Sequence, residues 1–326
     1  MAFSKKLFSV SSLCLVTSCS SLSGHQEASV MDNVAKPAIY VFESDGNGFN
    51  TKTVFFDSGK EVVAFDAQFT PDAAQKALSF LRTKTASPLK YLVVTHPNPD
   101  KFNGGKVFRD AGAKMVESQA SANAQDGVHA YKKYFFVNIA KMFTDQTYPQ
   151  PVKADIVFTD TYTIRLNSAF TVELHELNKP GVSSNQTVAF IPAANALVVG
   201  DLVHYKAHAW LEGGIQSGKP VPTLLSWKQI LKKLSTDYNK KNPIVYGGRG
   251  QDVQANVAFP AQTQYLQRAE AITKDFVAKN DEILRKDSQK AFAKLTHEFE
   301  VAFPDYALSY MIQYGIYGLT SQMMAK

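Results

Sequence analysis

The feature that most constrains this chain is the junction at residues 89–105. There a buried-strand pattern, Tyr91-Leu92-Val93-Val94, runs without a turn into Thr95-His96-Pro97-Asn98-Pro99-Asp100-Lys101-Phe102-Asn103-Gly104-Gly105. A short apolar run with polar punctuation fits a strand covered on both faces, and polar residues gathered at the C-terminal end of such a strand are where α/β sheets place their chemistry. The preceding segments narrow the architecture. Ala38-Ile39-Tyr40-Val41-Phe42, Thr53-Val54-Phe55-Phe56-Asp57 and Glu61-Val62-Val63-Ala64-Phe65-Asp66 read as three strands of an antiparallel meander, the last two divided by the turn Ser58-Gly59-Lys60. The period then becomes helical over 71–83, with Ala74, Leu78 and Leu81 on one face, Thr70 as N-cap and Pro71 in the first turn. Of the 326 residues 45% are hydrophobic and 12% aromatic, and no long polar tract interrupts the chain after its opening segment, so an ordered domain with a large core is expected rather than disorder.

At this junction the chain resembles the metallo-β-lactamase superfamily, whose signature at such a strand end is H-x-H-x-D-H. The string here is H-P-N-P-D-K, so His96 and Asp100 match while Asn98 and Lys101 replace histidines. Three further segments follow in the superfamily's order. Asn178-Lys179-Pro180-Gly181-Val182-Ser183 resembles the G-H-T segment with Val182 for histidine. Ala196-Leu197-Val198-Val199-Gly200-Asp201 resembles the strand ending in G-D, and Pro243-Ile244-Val245-Tyr246-Gly247-Gly248-Arg249-Gly250 resembles the one ending in G-H-G with Arg249 for histidine. The resemblance implies a four-layer αββα sandwich over 37–255, followed by a C-terminal helical segment, 256–326, packed on it.

That superfamily holds two zinc ions, which lower the pKa of a bound water and polarise the scissile group. Carried over, the first metal would use His96, Asn98 and Val182, and the second Asp100, Lys101, Asp201 and Arg249. Valine cannot ligate, an asparagine amide is a poor zinc donor, and Lys and Arg are cations at neutral pH. His96, Asp100 and Asp201 remain as metal ligands, with Asp100 the catalytic carboxylate if activity survives. The second site has gained two positive charges beside two aspartates, so Lys101 and Arg249 are expected to neutralise Asp100 and Asp201 in place of an ion. The expected cofactor is one zinc ion or none. A competing reading assembles one metal from His96, Asp201 and either His204 or His208, giving a divergent hydrolase of ester, amide or phosphoryl substrates. The leading expectation is a catalytically impaired binding or scaffold protein, for a fold does not dictate function.

The remaining segments surround that pocket. Residues 122–143 read as a helix rich in Tyr131, Tyr134, Phe135 and Phe136, and 226–238 as an outer helix with Trp227, Ile230, Leu231 and Leu234 on one face. Helices are also expected over 262–285 and 288–299, with 306–317 docking onto the core. At the other end, Lys5 and Lys6 precede an apolar run, 7–16, that suits a secretory signal but is too short to span a bilayer. Val16-Thr17-Ser18-Cys19 resembles a bacterial lipobox, implying a signal peptide over 1–18, lipid on Cys19 and a tether over 19–36. Ser20, where inner-membrane retention favours Asp, points to an outer-membrane anchor facing the periplasm. The only cysteines are Cys14 and Cys19, so the domain can form no disulfide and use no thiolate. Removing Lys5 and Lys6 from the formal +6 leaves +4, spread without clusters, and nucleic acid is not an expected partner. The expected partners are the membrane, through the lipid, and a small-molecule or protein ligand.

Overall fold

The computed structural model describes residues 36–167 and 169–324. The segments expected to be a signal peptide and, for the most part, a tether, with Cys19 between them, lie outside the described residues. Six strands form the first sheet: β1 (Ala38–Glu43), β2 (Lys52–Asp57), β3 (Val62–Phe65), β4 (Leu89–Val93), β5 (Lys114–Ser118) and β6 (Ile156–Phe158), in spatial order one to six. The first three pair antiparallel as the expected meander, and β3 to β6 pair in parallel. The switch is made by α1 (Pro71–Lys84), whose N-terminus is capped by the Thr70 side chain accepting from the Ala73 N–H. Two short helices, α2 (Pro99–Phe102) and α3 (Gly105–Asp110), follow β4, and α4 (Gln119–Tyr134) follows β5.

The second sheet contains β7 (Thr161–Leu166), β8 (Phe170–Glu176), β9 (Thr187–Ile191), β10 (Ala196–Tyr205), β13 (Ile244–Gly250) and β14 (Val253–Gln254), in the order β14-β13-β10-β9-β8-β7. A separate ribbon pairs β11 (Gly214–Gln216) with β12 (Lys219–Val221), ahead of α5 (Leu224–Asp237). The chain ends in α6 (Ala255–Lys286), kinked at Asn280, then α7 (Ser288–Ala302), α8 (Tyr310–Gly315) and α9 (Tyr317–Met324).

The side-chain alternation of the strands distributes these elements into four layers. Val54, Phe56, Val63 and Phe65 face Val172, Leu174, Ala189 and Val198 in the core between the sheets. Phe55, Val62 and Ala64 point the other way, onto Ala74, Ala77 and Leu81 of α1. The outer face of the second sheet buries Leu197 and Val199 under α5, α6 and α7, through Trp227, Leu231, Leu266 and Leu295. The architecture is the αββα sandwich expected from sequence, with the C-terminal helices built into its outer layer. One expectation is corrected: the helix read over 122–143 stops at Tyr134 and continues as a single π-helical turn, Phe135–Ile139. Aromatic packing of Phe136 against Phe49, Phe69 and Tyr148 wins there over regular helical repeat.

Candidate functional site

The site lies at the ends of β3, β4 and β13, beside a bend within β10. β3 delivers Asp66, and the turn after β4 delivers Thr95, His96 and, through α2, Asp100 and Lys101. β10 does not run straight. Register shifts on both sides of Gly200 accompany its positive φ of 53° and turn Asp201 toward the first sheet. A Cβ at Gly200 would lie 2.4 Å from Thr95 Oγ1, and one on Gly248 of β13 would lie 1.8 Å from Asp201 Oδ1, so both glycines are required by close approach. β13 then presents Arg249.

These elements bring two acids and two bases into one buried clasp. Lys101 Nζ is 2.7 Å from Asp201 Oδ1 and 2.9 Å from Asp100 Oδ2, with Asp66 Oδ2 farther off at 3.8 Å. Arg249 donates from Nη1 to Asp201 Oδ2 at 2.7 Å and from Nη2 to Asp100 Oδ2 at 2.9 Å. Its Nε donates to the Phe49 carbonyl at 2.7 Å, and Nη2 also reaches Thr51 Oγ1 at 3.1 Å. Lys101 is fully buried. Burial alone would push both acids up and both bases down; the mutual attraction reverses this, holding Asp100 and Asp201 below the usual carboxylate range and Lys101 and Arg249 above their ordinary values. All four are therefore charged near neutrality.

Beside the clasp runs a second chain of polar groups. Thr95 donates its N–H to Asp66 Oδ1 at 2.9 Å, and its hydroxyl sits 2.9 Å from both that oxygen and His96 Nδ1. Burial pushes Asp66 up to about 7 although Lys101 opposes it, and burial pushes His96 down to about 3, leaving a neutral imidazole. His96 Nε2 has no hydrogen-bond partner and lies 3.8 Å from Asp201 Oδ2. His204 Nε2 stands 3.5 Å from Asp201 Oδ1, and burial lowers its pKa as well.

Three other sequence-singled residues lie apart from the clasp. Asn98 borders the cleft above it but caps nothing at the start of α2. Val182 is buried in the apolar cluster of the second sheet and its helices. His208 departs from the expectation that it joins Asp201: its Nδ1 is 3.1 Å from the Tyr265 hydroxyl, and its ring packs among Tyr265, Phe299, Phe303 and Tyr306. Beyond Tyr205 the chain bends away into the C-terminal helices, where burying an imidazole among aromatic rings, which drives its pKa to about 4, docks those helices.

Above the clasp opens a narrow cleft walled by Phe49, Phe69, Phe136, Trp210 and Met311. Lys132 of α4 borders it, bonded to Glu212, whose Oε2 also accepts from Trp210 Nε1 at 3.0 Å. Sequence reasoning missed Asp66, Thr51 and the Lys132–Glu212 pair. For Asp66 a signal existed, an acid at the end of a strand adjacent to the motif strand. For the others there was none.

No protein-family model and no curated protein matches the chain. Solved structures do. A metallo-β-lactamase from Pontibacter korlensis superposes with a TM-score of 0.52 at 17% identity, covering 72% of this chain and 95% of that one. The DIM-1 metallo-β-lactamase, from a crystal exposed to ceftazidime, gives 0.51 at 14% identity, covering 72% of this chain and 94% of that one. The chain has the metallo-β-lactamase fold. In this metallo-β-lactamase-fold protein, however, the residues at the clasp do not fit a zinc pair. The oxygens of Asp201 and Oδ2 of Asp100 are already engaged by an ammonium and a guanidinium, and a dication among them would meet both cations within a few ångströms in a dry site. A single ion on His96, Asp201 and His204 meets the same obstacle, and among the described residues no group of three or more His, Cys, Asp or Glu is arranged to hold a metal.

The titrations give this site a pH signature. His96, His204 and His208 bind protons less readily folded than unfolded, so from below pH 4 up to the ordinary imidazole value of 6.5 stability rises with pH. Asp66 at about 7 and Glu117, raised by burial to about 8, do the opposite: folded, they keep protons that the unfolded chain releases near its ordinary carboxylate values, so stability falls as pH climbs to 8. Below 6.5 three imidazoles outweigh two carboxyls, and above it the carboxyls act alone. Unfolding free energy measured by denaturant titration is expected to peak near pH 6.5, and Asp66→Asn is expected to move the peak upward. A free energy still rising through pH 8 would contradict this assignment.

Proposed function

We propose that this protein is a metal-independent binding protein of the bacterial envelope, in which an internal ionic clasp has replaced the zinc centre and the cleft above it holds a ligand without hydrolysing it. One observation carries the reading: Lys101 and Arg249 together engage both oxygens of Asp201 while also bonding Asp100. A site so arranged has no open coordination position and no means of generating a metal hydroxide. Its acids are spent on neutralising its own bases, so neither is free to act as a general base. The envelope assignment rests on the charged start, the apolar run and the lipobox-like string before Cys19.

The divergent single-metal hydrolase is the second reading, favoured by the unpartnered His96 Nε2 and the two unpartnered ring nitrogens of His204. One experiment separates them. The full chain is recovered from the detergent phase of producing cells, from which Cys19→Ser should be absent, and analysed for zinc, iron and manganese. The expected result is well under one metal per chain, rising to about one or more when Asn98, Lys101 and Arg249 are all changed to histidine. Stoichiometric metal in the unaltered protein would overturn the metal-independent reading.

A further inference from the structure

We propose that the ligand of the cleft is an uncharged, planar, largely apolar molecule; this rests on the metal-independent reading above. The charge balance is the first argument. Every charged group at the cleft or directly beneath it has a partner within the protein: Asp100 and Asp201 have Lys101 and Arg249, and Lys132 has Glu212. Three acids meet three bases, all buried, and the fourth acid, Asp66, lies 3.8 Å from Lys101, where burial holds back its ionisation. An ionic ligand of either sign would have to compete with one of these desolvated pairs, and the site as a whole offers it no net attraction. The Asn98 amide, half-buried at the floor and free of any capping role, supplies one neutral hydrogen-bonding group.

The walls supply the second argument. Phe49, Phe136 and Trp210 are shared between the inner cleft and a wider mouth that extends to Met142 and Tyr314. The mouth encloses about 280 Å³, close to the lower end of the roughly 300–1,000 Å³ usual for small-molecule sites, and the inner cleft, with about 40 Å³, admits only the tip of a ligand seated in the mouth. Phe49 and Trp210 pack edge to face, at 89° with centroids 6.2 Å apart, so a flat ring lying against the pair meets the face of one and the edge of the other.

The mouth is the third. Ile139, Met142 and Tyr314 are 58%, 46% and 47% exposed, large apolar side chains left in water where they border this opening and the hollow beside it. The π-helical turn Phe135–Ile139 ends α4 at the same place, sending Phe136 into the cleft and Phe135 onto Tyr317. Such turns recur at functional sites because they re-aim side chains at the expense of helical regularity.

A matched pair of probes tests the proposal on the full chain. N-phenylnaphthylamine and anilinonaphthalene sulfonate share their rings and differ by one sulfonate. The expected result is saturable binding of the neutral probe, at least about tenfold tighter than the anion. Its energy transfer from tryptophan should fall in Trp210→Phe, and Phe136→Leu should weaken it about tenfold. Equal affinity for the two probes, preference for the anion, or neutral binding unaffected by Phe136→Leu in a protein of unchanged circular dichroism would overturn it. The probe comparison needs no variant, so it stands even if a substitution impairs folding. Metal analysis of the same preparation keeps the two claims apart: metal-free protein that rejects the neutral probe refutes this inference alone, whereas stoichiometric zinc refutes the metal-independent reading.

Discussion

Lys101→Met is expected to destabilise the protein by about 3–5 kcal/mol, the usual cost of removing one partner from a buried ion pair. The methionine fills much the same space, so the loss isolates the charge. The ammonium is 2.7 Å from Asp201 and 2.9 Å from Asp100, and it opposes the burial penalty on Asp66. Without it, Arg249 alone faces both ionised carboxylates. For a chain of this size the melting temperature should fall by roughly 10 °C. Adding Asp201→Asn to the same protein should recover part of the loss, because the second change removes a carboxylate that the first left under-neutralised. A melting temperature equal to that of the parent would mean that the clasp contributes nothing to holding the sheets together.

Arg249→Met is the second change with a large expected effect, again about 3–5 kcal/mol, and it differs in kind. The guanidinium spans four partners on three elements: Asp201, Asp100, Thr51 and the Phe49 carbonyl. Its loss leaves a buried carbonyl without its donor as well as two under-neutralised acids. A planar fork can meet these groups together, and a single ammonium cannot, so Arg249→Lys should restore less than half of the lost stability. Denaturant unfolding of the three proteins measures this. Full restoration by lysine would show that charge, and not the geometry of the fork, is what the site requires. Because the Phe49 ring walls the cleft, the methionine variant should also bind the neutral probe more weakly.

Much of the architecture was legible because it depends on local patterning. The strand-like apolar runs at 38–42, 53–57 and 61–66, the helical spacing after Thr70 and the polar string after Val94 are properties of neighbouring residues, and they formed as read. The charge of the candidate site was legible too: Lys101 beside Asp100, and Arg249 in the string that resembles the superfamily's G-H-G, are statements about charge that need no coordinates. What failed or was missed was non-local. His208 follows Asp201 by seven positions, yet the chain bends after Tyr205 and the C-terminal aromatics claim the ring. The helix through 143 ended early because Phe136 is held by Phe49 and Phe69 from distant segments. Thr51, the Phe49 carbonyl and the Lys132–Glu212 pair carry no sequence mark of their role.

Local pattern therefore set the order of elements and which faces are apolar, and it put two cations into the strings that resemble the superfamily's ligand motifs. Folding brings those cations to the two aspartates, since Lys101 and Asp201 are separated by 100 residues and Arg249 and Asp100 by 149. It also decided protonation. Whether Asp66 holds a proton near neutrality while Asp201 does not depends on how much water packing removes and which charges it leaves within reach, and no local pattern encodes either.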